Sequence, residues 1–384
     1  MKTKTTDNNP QTDSHVAEFI TRTSDSAKAK RRTDIGTVVF YSIWLIALLT
    51  AVHFIRAGLD WLWGFLDDYE KSQPEKVMNA VVDELQGGDL EAVILDVGFV
   101  PNAFEDDSGA REYIASLFDG EISYSKNIKE SSDERLVYNL RCDNNTICTL
   151  SLLPAEEKSV HGFTLYRLGE YSGITVPTHE ITITAPDSAF LSINGRAFSG
   201  IPTSSRKYEE VSHFYGYDTT SQPGEATYTI GGFTSPVEVS ARFSDGKPLK
   251  VNEADNVWTF SNVRSDIPEE LSLLAVNASQ TYAKYITADA SLAELANYIP
   301  YDVPLYANVS GYQSKFYSYH IAYDFYDLEV SDYIIYSDAC VSVRVKYTHY
   351  VSSGYYGEYE FPTDHTLYLA KHNGSWLVTD IVMN

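Results

Sequence analysis

The sequence predicts an α+β protein: an N-terminal transmembrane helix, an α+β domain, a small β-sandwich and a second α+β domain. One long segment near the N-terminus is apolar and uncharged. In two later regions the hydrophobic period changes from about 3.6 residues, typical of helices, to about 2, typical of strands. The region between them contains strand-like signals only, which favours separate α+β and all-β domains. The expected boundaries are 1–34 for a disordered cytoplasmic tail, 35–55 for the transmembrane helix, 56–73 for an amphipathic juxtamembrane helix, and 74–172, 175–264 and 265–384 for the three domains.

The segment 35–55 reads IGTVVFYSIWLIALLTAVHFI and contains no Asp, Glu, Lys or Arg. At about 1.5 Å per residue, a helix of this length crosses about 30 Å, the thickness of the hydrocarbon core. Basic residues precede it and acidic residues follow it, so the positive-inside rule predicts a cytoplasmic N-terminus. We expect a single-pass cell-membrane protein with an extracytoplasmic C-terminal bulk, and with Trp61 and Trp63 at the outer interface. A cleaved signal peptide is disfavoured because the apolar run is too long.

The charge is strongly asymmetric. Residues 1–34 carry seven Lys or Arg against five Asp or Glu, which leaves 22 basic against 48 acidic groups in the remainder of the chain. A body with a net charge of −26 repels phosphate backbones, so we expect no nucleic-acid partner.

The first α+β region, 74–172, begins with Pro74, which suits the first turn of a helix. Val77, Val81 and Leu85 follow at helical spacing, and a second helix is predicted around Ile114. Strand-like runs occupy 121–127, 134–142, 147–153 and 162–169.

Two of the three cysteines, Cys142 and Cys148, flank a turn-rich stretch between two of these runs. If they lie directly opposite each other, the apolar residues around them share one side of the hairpin. A disulfide would then form in an oxidising compartment. The alternative is a pair of small buried thiols, and the sequence does not choose between the two.

The remaining two regions contain recognisable hairpins. Residues 179–186 (HEITITAP) alternate cleanly, and Asn194-Gly195 predicts a tight turn in a β-sandwich of immunoglobulin-like size. In 265–384 a helix opens at Pro268, with apolar residues along one face, and a second begins at Ser291. Predicted strands follow at 333–337, 339–350, 358–371 and 375–382, with Asn373-Gly374 as the last turn.

Two of these regions resemble the nuclear transport factor-like fold, also called cystatin-like, in which a curved antiparallel sheet wraps around a few helices and forms a cone with a pocket. The ending LYLAKHNGSWLVTDI (367–381) is similar to the superfamily's final hairpin, whereas 74–172 is similar in element order only. The overall plan resembles Gram-positive cell-envelope proteins such as the teicoplanin-resistance-associated membrane protein family. Their usual cytoplasmic zinc ribbon has no counterpart here, because residues 1–34 contain no cysteine. The resemblance implies a fold rather than an activity.

No nucleophile-elbow, zinc-protease, phosphate-loop or EF-hand motif occurs in the sequence. His349 and His365 could meet across neighbouring strands, but surface imidazoles are commoner than metal ligands. The resemblance includes ketosteroid isomerase, which pairs an Asp base with a Tyr donor. No carboxylate here matches a catalytic position among the candidates Asp324, Asp327, Asp332, Asp338 and Asp364. We therefore predict no catalytic residue, no metal site, no cofactor and no enzyme.

The C-terminal region is rich in tyrosine, which is half-buried in sheets by default but can also stack on sugar rings or peptides. The favoured function is a binding or scaffold protein of the cell envelope that recognises a wall component, a peptide or a protein. The proposed contacts are Tyr347, Tyr350, Tyr355, Tyr356 and Tyr359. One alternative is an assembly partner of a membrane complex, acting through the span and tail. The other is a small-molecule enzyme that uses the C-terminal cone pocket.

Overall fold

The structure, a computed structural model, describes residues 35–214, 222–311, 320–354 and 357–384. The chain divides into two compact units. One holds the chain up to Gln73 together with Glu157–Thr164, and the other holds Pro74–Glu156 and Leu165–Asn384. The predicted tail, 1–34, lies outside the described residues.

The helix α1 runs without a break over Ile35–Lys71. It is long and apolar enough to cross a membrane, and none of its residues is buried in the protein. The predicted transmembrane and juxtamembrane segments are therefore one continuous helix.

The first α+β region has three helices and an antiparallel sheet of order β1-β2-β3-β4. The helices are α2 (Pro74–Gln86), α3 (Glu91–Val97) and α4 (Ser108–Leu117), and the strands are β1 (Ile122–Lys126), β2 (Leu136–Cys142), β3 (Asn145–Lys158) and β4 (Thr164–Ser172). Val81 and Leu85 are buried in α2 as their spacing predicts, together with Met78. Helix α3 has no counterpart in the sequence prediction because its seven residues are too few for a clear helical period.

The register of the β2–β3 hairpin differs from the one in which Cys142 and Cys148 would lie opposite each other. Cys142 pairs with Asn145, and Cys148 pairs with Leu140 across a bulge. Asp143 and Asn144 both have positive φ and form the two-residue turn, which is the geometry that tight hairpins prefer. The two cysteines are therefore not opposite each other, and all three thiols of the chain are free.

The middle region has two sheets whose apolar faces join in one core. The strands are β5 (His179–Pro186), β6 (Phe190–Ile193), β7 (Arg196–Phe198), β8 (Ser204–Lys207), β9 (Gly224–Phe233), β10 (Val239–Arg242), β11 (Lys250–Ala254) and β12 (Val257–Ser261), with a 3₁₀ helix at Glu209–Phe214. The sheet orders are β10-β6-β7 and β11-β12-β5-β9-β8, and β12 runs parallel to β5. The predicted turn at Asn194-Gly195 joins β6 to β7.

The C-terminal region packs helices against a five-stranded antiparallel sheet of order β13-β14-β15-β16-β17. The helices are α5 (Glu269–Ile286), α6 (Leu292–Leu295) and α7 (Pro304–Ser310), and the strands are β13 (Val263–Arg264), β14 (Ala322–Ser337), β15 (Cys340–Ser352), β16 (Glu358–His372) and β17 (Ser375–Met383). Ser291 and Glu294 form a capping box at α6. The α+β class predicted from the sequence is confirmed.

Candidate functional site

A cavity of about 330 Å³ lies between α5 and the face of the C-terminal sheet on which this helix packs. Most of its wall is apolar or aromatic, as in typical small-molecule sites. The helix contributes one edge and the alternate residues of β16 contribute another, because side chains on a strand reach one face at every second position. The lining residues are Tyr282, Ala283, Ile286, Thr287, His349, Phe361, Thr363, His365 and Met383.

His365 is held by a polar cluster behind the cavity. Its Nδ1 lies 2.8 Å from the Oγ of Ser279, a fully buried residue of α5. The Tyr347 hydroxyl donates to the Ser279 carbonyl oxygen at 3.0 Å, and the Ser279 hydroxyl donates to Tyr347 Oη at 3.1 Å. Burial lowers the pKa of His365 to about 4, so the imidazole is neutral at pH 7.

The hydrogen bonds of this cluster favour one tautomer of His365. Tyr347 uses its single hydrogen on the Ser279 carbonyl, and Ser279 uses its own on Tyr347. In this arrangement Ser279 Oγ accepts from the imidazole, which favours the histidine proton on Nδ1. The other ring nitrogen, Nε2, is left as a hydrogen-bond acceptor.

His349 lies on the neighbouring strand β15. Its ring stacks on Phe325, with centroids 4.6 Å apart and an interplanar angle of 17°. It is 4% exposed, and its Nε2 finds no hydrogen-bond partner among the described residues. Burial lowers the pKa of His349 as well. An unpaired buried polar atom costs about 1–3 kcal/mol, so this nitrogen is a local source of instability.

The two histidines line one cavity but do not form a pair across strands. His365 is opposite Val345, whereas His349 is opposite Phe361. In the part of the chain that the structure describes, no group of His, Cys, Asp and Glu side chains has the arrangement of a metal site.

The three described tyrosines among the proposed ligand contacts, Tyr347, Tyr350 and Tyr359, do not line the cavity. Tyr347 is buried and bonded to Ser279, and burial raises its pKa to about 12. A hydrogen bond to Glu358 raises the pKa of Tyr350, away from the cavity wall. Tyr359 is 45% exposed and stacks on the lining residue Phe361. Tyr355 and Tyr356 lie outside the described residues.

The aspartates considered as catalytic candidates do not line the cavity either. Asp332 and Asp364 bind Arg344, and Asp338 accepts a hydrogen bond from the Ser244 hydroxyl. No carboxylate lines the cavity among the described residues. Sequence reasoning missed Ser279, Phe361 and Thr363, although the alternation of residues 361, 363 and 365 along one strand was a usable signal.

The C-terminal region is thus an α+β domain with a partly enclosed, aromatic and histidine-lined cavity. No protein-family model matches the chain, and no curated protein matches it. Among solved structures, one similar chain is a protein from Novosphingobium aromaticivorans provisionally described as an aromatic ring hydroxylase. It is 12% identical, with a TM-score of 0.25, and the alignment covers 31% of this chain and 91% of that one.

A second solved structure is a nuclear transport factor-like protein involved in plasmid conjugation. It is 8% identical, with a TM-score of 0.22, and the alignment covers 76% of this chain and 92% of that one. At such identities and scores, neither similarity indicates a shared function.

Proposed function

We propose that the chain is a membrane-anchored, extracytoplasmic binding protein of the cell envelope whose C-terminal cavity holds a small uncharged ligand. The ligand is either a free small molecule or one apolar group of a wall component, peptide or protein partner. The observation that carries this proposal is the pair of buried imidazoles, each with its pKa lowered by burial, on a largely apolar cavity wall. The volume of about 330 Å³ is at the lower end of the range for small-molecule sites.

The preference for an uncharged ligand follows from the composition of the wall. None of the nine lining residues is Lys, Arg, Asp or Glu. A charged ligand would lose its hydration without gaining an ionic partner, which is costly in an apolar site.

The preference for a hydrogen-bond donor follows from His365. Because Ser279 holds the Nδ1 proton, Nε2 offers a lone pair. A hydroxyl or N–H group on the ligand would satisfy it, while the rings of Tyr282 and Phe361 would cover an apolar body.

The anchoring part of the proposal relies on α1 and on charge. The uncharged run 35–55 matches the hydrocarbon thickness, and the basic residues before it favour an N-terminus in the cytoplasm. The acidic remainder of the chain would then lie outside the cell.

We propose binding rather than catalysis because no carboxylate lines the cavity among the described residues. Ser279 is fully buried behind His365, where it is out of reach of a substrate. An assembly role through the span and tail remains a separate hypothesis, since the tail lies outside the described residues.

The test compares two probes of similar size, benzyl alcohol and toluene, on the full-length chain in detergent micelles. Ligand-detected NMR should show that both enter the cavity and that benzyl alcohol binds more tightly, since it alone can donate to His365. In His365→Phe this preference should disappear, while in the exposed control variant His372→Phe it should persist. Absence of binding by both probes would refute the proposed cavity function.

A blocking variant provides an independent check. Ala283 lies on the cavity wall on α5, so Ala283→Trp should fill the space and abolish binding of both probes. Circular dichroism of the variant would confirm that it is folded. If a folded variant with this substitution still bound the probes with unchanged affinity, their site would be elsewhere.

A further inference from the structure

The tip of the β3–β4 hairpin contacts α1 through hydrogen bonds and packed aromatic rings. Asp68 Oδ2 accepts a hydrogen bond from the His161 backbone N–H at 2.8 Å and lies 2.9 Å from His161 Nδ1. The Phe163 ring meets Phe65 and Tyr69 edge-on, with centroids 5.1 and 5.6 Å apart. These contacts hold the tip of the hairpin in one position on the helix.

The order of the ring contacts shows which way the tip points. Phe163 contacts Phe65 and Tyr69, whereas His161, two residues nearer the tip, contacts Trp61 and Phe65. Moving toward the tip therefore means moving toward the N-terminal part of α1. That is the direction of the apolar run 35–55.

The end of the hairpin tip is apolar and exposed to solvent. Val160 sits in the turn closed by the Gly162 N–H and the Ser159 carbonyl oxygen, and it is 92% exposed. On the helix, Trp61, whose ring meets that of His161, is 61% exposed, and Trp63 is 69% exposed on the opposite side of the helix at nearly the same height. Exposed large apolar side chains at one depth next to an apolar helix of membrane-spanning length are typical of a membrane-interface contact.

The position of Trp61 along α1 matches the depth of the lipid headgroup layer. Trp61 follows the last residue of the apolar run by six positions, which places its Cα about 9 Å beyond the hydrocarbon core. Helical side chains lean toward the N-terminus, so the Trp61 ring reaches back toward the layer of about 5–7 Å that covers each side of the core. Tryptophan is enriched at this depth.

We propose that the hairpin tip Lys158–Gly162 inserts Val160 into the headgroup layer of the lipid bilayer, at the depth of Trp61 and Trp63, as a second membrane contact. The proposal relies on the single-span anchoring proposed above. Glu156 and Glu157 precede Lys158 at the tip, so this end of the hairpin has no net positive charge and insertion does not require anionic lipid. A zwitterionic phosphatidylcholine bilayer is therefore a sufficient partner.

The test places an environment-sensitive NBD fluorophore on Val160→Cys in the full-length chain, reconstituted into phosphatidylcholine nanodiscs. The background carries Cys142→Ala, Cys148→Ala and Cys340→Ala, and its thermal melt is compared with that of the native chain. Matched probes are placed at Leu45, inside the apolar run, and at Ile201, which is 94% exposed and serves as the solvent reference.

The probe at 160 should emit at shorter wavelength than the probe at 201, and nitroxides near the headgroup should quench it more than nitroxides deep in the acyl chains. Adding salt should leave this emission unchanged. If the probe at 45 reports lipid but the probe at 160 matches the probe at 201, the tip proposal is wrong and the anchoring stands. If the probe at 45 reports water, the anchoring itself fails, and the tip proposal fails with it.

A second measurement avoids the cysteine-free background. A photoactivatable benzophenone residue at position 160 of the native-cysteine chain should crosslink to phosphatidylcholine on illumination. The same residue at position 201 provides the background yield. A lipid crosslink at 160 no stronger than at 201 would overturn the proposal.

Discussion

Asp380 on the last strand contacts His213 on the 3₁₀ helix of the middle region, with His213 Nδ1 and Asp380 Oδ2 2.6 Å apart. The same imidazole stacks on Tyr368, with ring centroids 4.2 Å apart and an interplanar angle of 17°. Phe214 packs against Tyr368 and Tyr336 beside it. The middle and C-terminal regions therefore share a core, and the cavity-bearing domain does not stand alone.

This contact predicts a stability effect. His213→Ala removes a hydrogen bond worth about 0.5–1.5 kcal/mol and a ring stack worth about 0.5–1.5 kcal/mol, so the free energy of unfolding should fall by about 1–3 kcal/mol. Asp380→Asn removes the charge but keeps an acceptor oxygen, so the free energy of unfolding should fall by less. Urea denaturation of both single variants and the double variant gives the coupling energy. Strictly additive effects would show that the two residues do not interact.

The polar cluster behind the cavity makes a second prediction. Tyr347→Phe removes the hydroxyl that donates to the Ser279 carbonyl oxygen and accepts from its Oγ. Buried polar atoms would lose their partner, so we expect a loss of about 1–3 kcal/mol. The control is Tyr350→Phe on the same strand, which should change stability by less than about 0.5 kcal/mol. Equal effects of the two substitutions in chemical denaturation would contradict the described cluster.

The cavity histidines predict how stability depends on pH. Burial holds the pKa of His365 near 4 in the folded chain, against about 6.5 when unfolded. Between these values the unfolded state binds more protons, so stability rises with pH and is lost as the pH falls from 6.5 toward 4. The shift contributes a loss of about 3 kcal/mol by pH 4, and His349 acts in the same direction.

The variant His365→Phe isolates this contribution. Carboxylates such as Asp364, whose pKa the Arg344 guanidinium lowers to about 2, also destabilise the fold in acid, but at lower pH. The variant should therefore show a shallower loss of stability between pH 6.5 and 4 than the parent chain. An unchanged slope in thermal melts across this window would mean that His365 titrates normally when folded.

The hairpin register predicts the reactivity of the cysteines. Burial raises the pKa of Cys148 to about 12, so its thiolate, the reactive form, is scarce at neutral pH. In the folded chain Cys148 should resist an aromatic disulfide reagent, and in urea all three cysteines should react. Mass spectrometry after alkylation locates the labels. A disulfide-linked peptide joining Cys142 and Cys148 in the native protein would contradict the register.

Local sequence signals were reliable where a residue's conformation depends on its near neighbours. The turns Asn194-Gly195 and Asn373-Gly374 both have positive φ at each position, as the dipeptide predicts. The strand His179–Pro186 has the predicted bounds, because its alternation is uninterrupted. In α5, Leu271, Ala275 and Ala278 are buried at the predicted helical spacing.

The same signals failed where irregularities interrupt the period. Strand β14 begins at Ala322, well before the predicted start at residue 333. Register shifts separate Tyr326 from Glu329 and Ser331 from Ile334, and Asp327 and Asp332 have positive φ at these positions. Each bulge resets which side chains face the core, so the strand does not alternate as a whole.

The sequence by itself determined the α+β class, the apolar helix, the two Asn-Gly turns and the helical faces, because these depend on composition and on spacing within a few residues. Only the tertiary structure decided that His349 and His365 line one cavity, that Ser279 Oγ contacts Nδ1 of His365, and that His161 at the hairpin tip is bonded to Asp68. Those relationships join residues between 16 and 93 positions apart. They depend on strand register and helix docking, which local spacing does not encode.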